Sequence, residues 1–319
     1  MSDRKPWLNR GILASVYARP EIKNDEDAAK YFREVLRADV SRRTITDARN
    51  SFGIAAKAKS DVYEVEVKEL EPPRILFIDI ETRPNLGYFW RLYDENIGIS
   101  QLVEEHQLLS FAAKWRGEEE THFFSEYEHG HEIMVAMAHE FLDTADFVIH
   151  WNGKRFDIPH LNKEFVLLEL TPPSAYKQLD LMLTARSQFK FASNKLQHIS
   201  TRLGLEGKFE HEGFELWLKC MANDPEAWET MRKYNIQDVV LLEQIYDKIL
   251  PWIKQHPNVP LYTGTGDCPA CGSSNIRGSG TAYMTSRTYP KFTCNDCGAQ
   301  MRGTKSNKDS AAGYVPLSY

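Results

Sequence analysis

The run Ile75-Leu76-Phe77-Ile78-Asp79-Ile80-Glu81 constrains this chain more than any other stretch. A short block of branched and aromatic residues reads as a buried central strand, yet this one closes on two carboxylates. Side chains alternate along a strand, so Asp79 and Glu81 share one face at its end. An acid there is costly unless a metal or a partner offsets its burial. The spacing alone is worth little: with 18 Asp and 27 Glu in 319 residues, chance yields about 1.5 such pairs. Asp224-Pro225-Glu226 is a second one, but it reads as an N-cap followed by the first helical residue.

The surroundings extend the pattern. Residues 108–115, 121–125, 147–151 and 179–181 read as further strands, and 132–143 and 158–168 as helices. Beyond Asn194 the chain reads as helical to Ile253. This order predicts an α/β fold, a mixed sheet covered by helices. The segment Asn152-Gly153-Lys154-Arg155-Phe156-Asp157 places an acid at a strand-to-helix junction on the sheet's rim, where its other reading is a helix cap. Tyr234 and Asp238, four apart, share one helical face. Tyr176 and Asp180 have the same spacing on a predicted strand, where that argument fails.

These three segments, Asp79-Ile80-Glu81-Thr82, Asn152 to Leu161 and Tyr234 to Asp238, resemble in order the three motifs of the DEDD superfamily of 3′–5′ exonucleases. Lys233 stands where the histidine subclass carries its histidine, so Tyr234 points to the tyrosine subclass, which includes proofreading domains of family A and family B DNA polymerases. Leu196, Ile199 and Leu203-Gly204-Leu205 resemble the segment between the second and third motifs. The resemblance implies a ribonuclease H-like fold and phosphodiester hydrolysis by a two-metal mechanism, in replication or repair. It implies that Asp79, Glu81 and Asp238 hold one Mg2+ or Mn2+ beside the attacking water. Asp79 would bridge to a second ion supported by Asp157, and Tyr234 would orient the water. Thr82, Asn152 and Phe156 are candidates for gripping the terminal nucleotide, with a core role the alternative for Phe156. The expected partner is nucleic acid, DNA with a 3′ end, and association with a separate polymerase or other replication protein is compatible with the chain's length. An exoribonuclease with the same site and a non-catalytic DNA-binding regulator are the competing readings.

Four of the five cysteines form two pairs, Cys268-Pro-Ala-Cys271-Gly272 and Cys294-Asn-Asp-Cys297-Gly298. That spacing is the pattern of a structural zinc ribbon, with two disulfides as the alternative. Arg277, Arg287, Lys291 and Arg302, interleaved with Tyr283, Tyr289 and Phe292, suit nucleic-acid contact. Cys220 reads as a buried apolar residue, and His150 and His160 show no metal spacing. Upstream, residues 24–54 read as a helix-turn-helix, with Ser41 as a cap, Gly53 after the second helix, and Arg42, Arg43 and Arg49 available to DNA.

The net charge of −6 hides an asymmetry: residues 1–70 carry +2, 71–261 carry −11 and 262–319 carry +3. An acidic block that approaches a polyanion needs metal ions or basic partners. These boundaries define three expected parts: a helix-turn-helix-like module with linker (1–70), a ribonuclease H-like exonuclease domain (71–261), and a zinc ribbon with a flexible tail (262–319). No run approaches the roughly 18 apolar residues of a membrane span. Residues 11–18 follow Arg4, Lys5 and Arg10 but are interrupted by Ser15 and Tyr17, so a mature, cytoplasmic chain is expected.

Overall fold

Caps set the helices at the N-terminal end. The computed structural model describes residues 10–19, 21–36, 38, 40–55, 71–205, 212–308 and 311–315, in two units divided between Glu69 and Leu70. The first unit holds α1 (Arg10–Tyr17), α2 (Asp25–Glu34) and α3 (Arg42–Ser51). Asn24 accepts the N–H groups of Glu26 and Asp27, and Ser41 accepts that of Thr44. Leu13, Val16, Ala29, Phe32 and Ile45 close its core, so the apolar stretch after Arg10 is a packed helix. Residues 35–41 join α2 to α3, a longer link than the roughly 3–4 residues of a helix-turn-helix.

Arg49 has a different role from the one its sequence position suggests. Its Nε donates to Asp25 at 2.9 Å, where Tyr17 and Thr46 also donate. Burial opposes the Asp25 charge, but these donors outweigh it and hold the carboxyl below the usual range. Arg49 is therefore an internal tie, while Arg42 and Arg43 stay exposed. The alternating Val62 to Val67 stretch lies outside the described residues.

In the second unit, β1 (Ile75–Arg83) leads into a small arm, β2 (Leu86–Gly87) and β3 (Leu102–Glu104), then β4 (Gln107–Trp115), β5 (His122–Ser125), β6 (Phe147–His150) and β7 (Lys177–Asp180). The main sheet has the order β5-β4-β1-β6-β7. Its β4 runs antiparallel to both neighbours, β5 and β1, and β1, β6 and β7 run parallel. The mixed sheet is thus as expected. The arm was not anticipated: within it Glu95 accepts the N–H groups of Trp90 and Arg91, while Trp90 and Tyr93 face out.

The helices are α4 (Glu126–His129), α5 (His131–Asp143), α6 (Asp157–Leu167), α7 (Leu181–Gln188), α8 (Leu196–Arg202), α9 (Phe214–Met221), α10 (Pro225–Ile249) and α11 (Pro260–Thr263). Asp224 caps α10 and Pro225 opens it, which disposes of the second Asp-x-Glu pair. The period of two in β1 sorts its neighbours. Leu76, Ile78 and Ile80 pack with α5 and α6, whereas Ile75 and Phe77 pack with Val239, Leu242, Ile245 and Tyr246 of α10. Asp79 and Glu81 continue the second row, so both carboxylates are aimed toward α10.

The C-terminal module is a sheet of β8 (Ile276–Tyr283), β9 (Thr288–Cys294) and β10 (Gln300–Arg302), in the order β10-β9-β8. Cys268, Ala270, Cys294 and Ala299 share one buried cluster with Val259, Ile249, Leu250 and Ile253. The module therefore closes the floor of the same core that α10 covers. The tail is tied as well: Asn307 N–H reaches Thr288 O at 2.9 Å and Ala312 N–H reaches Ser286 O at 2.8 Å. Among the described residues no helix is long and apolar enough to cross a membrane.

Candidate active site

Strand divergence makes room for the second acid. β6 pairs with β1 only as far as Phe77 and Ile149. Past that point the chain leaves the sheet through residues 151–156, helped by Asn152 in the left-handed region (φ 67°), which asparagine tolerates. Gly153 is required here, because an added Cβ would lie 2.5 Å from the His150 ring. The Ile80 N–H then points to Asp157 Oδ1 at 3.2 Å. Asp157 is the first residue of α6 and makes no helix cap; its carboxylate is turned to β1 instead.

The third segment comes from α10. Asp79 and Glu81 register against Ala112 and Ser110 of β4, and α10 crosses this face. The fully buried Asn235 donates from Nδ2 to Asp79 Oδ2 at 2.8 Å and to Asp79 O at 3.3 Å. Its own oxygen accepts from Ser110 Oγ at 3.3 Å. Tyr234 donates to Asp238, and the Trp217 indole donates to Glu81 from α9. Trp217 also packs edge-on against Tyr234, with centroids 6.1 Å apart.

The electrostatics follow from this crowding. Burial, then the charges of Asp157, Glu81 and Asp238, push the Asp79 carboxyl well above its usual range, against the Asn235 hydrogen bond. Burial and the Asp238 and Asp157 charges raise Glu81 to about 8, despite Trp217. Burial raises Asp157 to about 7, opposed by its own N–H and that of Ile80. Tyr234 is raised by burial and by the neighbouring acids. Asp79, Glu81 and Asp157 have no ion pair among the described residues. A hard divalent cation with oxygen ligands suits such a set.

All five expected catalytic residues thus gather around the C-terminal end of β1. Of the three nucleotide-gripping candidates, Thr82 follows a bulge after Glu81 and Asn152 forms the turn. Phe156 is 40% exposed and its ring lies tilted against that of His160, with centroids 4.4 Å apart, which removes its alternative as a core residue. His150 is buried, and His160 bonds to Phe156 O. Sequence reasoning missed Asn235, Trp217 and Ser110. A signal for Asn235 exists: it sits in the buried stripe Ala227, Met231, Asn235, Val239 of α10, where an amide needs a partner.

The cysteine site is separate. All four sulfurs lie within 4.8 Å of one another, a closeness that no other group of three His, Cys, Asp or Glu ligand atoms reaches among the described residues. The Cys268–Cys297 and Cys271–Cys294 Sγ separations are 3.6 and 3.7 Å. Disulfides need about 2.05 Å, whereas a tetrahedral zinc with bonds of about 2.3 Å spaces its sulfurs by about 3.8 Å. Gly272 and Gly298 follow each pair with φ of 77° and 79° and close the two knuckles onto Cys268 O and Cys294 O. Burial opposes the Cys294 thiolate, but the N–H groups of Cys297 and Asp296 and nearby thiols hold its pKa at about 7. Cys220 is fully buried. Of the ribbon's cations, Arg302 lies over the Tyr289 ring at 4.3 Å.

A mixed sheet of this order, with acids gathered at the diverging ends of its central strands, is a ribonuclease H-like nuclease domain. The chain belongs to the RNase H superfamily, whose family model matches residues 76–250, more than half of its length. Among solved structures, the family B DNA polymerase from the hyperthermophilic archaeon Pyrobaculum calidifontis is similar at 17% identity and a TM-score of 0.44. That likeness covers 57% of this chain and 25% of the polymerase chain. No curated protein matches.

Proposed function

We propose that this chain is a 3′–5′ exonuclease that hydrolyses DNA from its 3′ end. The observation that carries this reading is the meeting of Asp79, Glu81, Asp157, Asp238 and Tyr234, from three distant segments, around the end of β1. These carboxylates would hold two Mg2+ or Mn2+ ions, which supply an activated water and offset charge on the phosphate oxygens. Asn235 and Trp217 keep Asp79 and Glu81 aimed at that place. Tyr234, protonated at neutral pH, orients the water and does not act as its base. Thr82, Asn152 and Phe156 are assigned to the terminal nucleotide. DNA follows from the resemblance of the three motifs to polymerase proofreading domains. The four cysteines would hold a structural zinc, since they leave no open position.

The test uses 5′-labelled single- and double-stranded DNA and RNA with Mg2+, Mn2+ or EDTA. A ladder shortening from the 3′ end of DNA, lost in EDTA, is expected. First cuts inside the strand overturn the exonuclease reading, and a preference for RNA replaces DNA with the exoribonuclease.

A further inference from the structure

A groove of about 680 Å³ runs beside the edge strand β7, from the loop before Asp157 to the chain after α10. Lys154, Arg186 and Lys254 line it, together with Trp252, whose ring is half exposed. Among the described residues none of these three cations makes an ion pair or a side-chain hydrogen bond to the protein. The acid in the lining, Asp180, is occupied: Oδ1 accepts the N–H groups of Asn152, Met182 and Leu183. Residues 71–261 carry −11 overall, so three exposed cations lining one groove give it a positive potential that favours an anion. Lys154 stands three residues before Asp157, and Asp180 of the lining lies near enough for its charge to act on the Asp157 carboxyl, so the groove adjoins the acids.

We infer that this groove binds the phosphates of a single-stranded nucleic acid, the part of the strand leading into the acid cluster, with a base stacked on Trp252. The inference rests on the nuclease reading for its substrate class, but its test is binding and not cleavage. Phosphate contacts release counterions, each contributing about 0.7 to the slope of log affinity against log salt for a single strand. Stacking contributes affinity without altering that slope.

The full chain, with its zinc retained and no other divalent cation added, is titrated with a fluorescent oligodeoxythymidylate at several salt concentrations. Arg186→Ala with Lys254→Ala should weaken binding by about tenfold at low salt and flatten the slope by roughly 1.4. Trp252→Ala should weaken binding at least about fivefold with the slope unchanged. Arg202→Ala, an exposed cation outside the lining, should change neither. A double variant with wild-type affinity and slope overturns the inference, as does equal weakening by Arg202→Ala. Displacement of the oligonucleotide by polyglutamate at equal charge concentration also overturns it, because the groove then reads charge and not nucleic acid. Because cleavage is measured separately, a failed groove leaves the ladder assay intact, and a failed ladder assay leaves the salt slopes intact.

Discussion

A carboxylate at position 79 faces three others and accepts a side-chain hydrogen bond from a neutral amide, Asn235. Asp79→Asn should leave less than a tenth of wild-type activity at saturating Mn2+, because the ligand proposed to be shared by two ions would lose its charge. It should also raise the melting temperature in EDTA, since one of several repelling buried acids is gone. Asn235→Ala keeps every acid and removes what aims Asp79. Outer positioning groups of this kind are worth about 10–100-fold in metal affinity. The Mn2+ concentration for half-maximal activity should rise by that factor, and an unchanged value would show that Asp79 needs no such support. Tyr234→Phe should cost about 10²–10⁴-fold in turnover, less than Asp238→Asn. Kinetics indistinguishable from wild type across metal concentration and pH would mean that the third segment has been misread.

At the scale of elements, the boundary expected at residue 261 would make the cysteine module separable from the nuclease core. Its contacts point the other way. Cys268, Cys294, Ala270 and Ala299 are buried against Ile249, Leu250, Ile253 and Val259, at the end of α10. A four-cysteine module of this size depends on its metal for folding, so Cys294→Ser should uncover part of the catalytic core. Uncovering one side chain such as Val259 costs about 1.5–3 kcal/mol, and roughly 2–4 °C is lost per kcal/mol in a domain of this size. The catalytic unit should therefore melt about 5–10 °C lower, measured by calorimetry alongside zinc release. An unchanged transition would separate the ribbon from that core. α7 illustrates the opposite limit of sequence reading: β7 ends at Asp180, which also caps α7, so strand and helix abut with no intervening loop to announce the change.

For the whole molecule, the raised acids link stability to pH. Glu81 and Asp157 are lifted from 4.5 and 3.8 to about 8 and about 7, and Asp79 is lifted as well. Between the unfolded and folded values the native state binds more protons than the unfolded chain, so stability falls as pH rises. Without metal, the melting temperature should drop progressively from about pH 4 to about pH 8 through these groups. Mn2+ competes with the protons and should stabilise most at the upper end of that window. Melting curves with and without Mn2+ at each pH check this, and a metal effect independent of pH would argue against these carboxylates as the ligands.

Short-range geometry made much of this legible. The period of two put Asp79 and Glu81 on one face with Ile75 and Phe77, the helical period put Tyr234 and Asp238 together, and the two Cys-x-x-Cys pairs announced their cluster. Each depends only on residues within a few positions of one another, where covalent geometry fixes direction. The three segments could be brought together from the sequence only through their resemblance to a known set of motifs. What tertiary structure alone decided was the support around them: Asn235 holding Asp79 across 156 residues, Ile80 N–H holding Asp157 across 77, Trp217 holding Glu81, and the ribbon sealing the end of the core. Those contacts arise where helices cross the sheet and buried polar groups must find partners, and packing, unlike local periodicity, is settled only when the whole chain has closed.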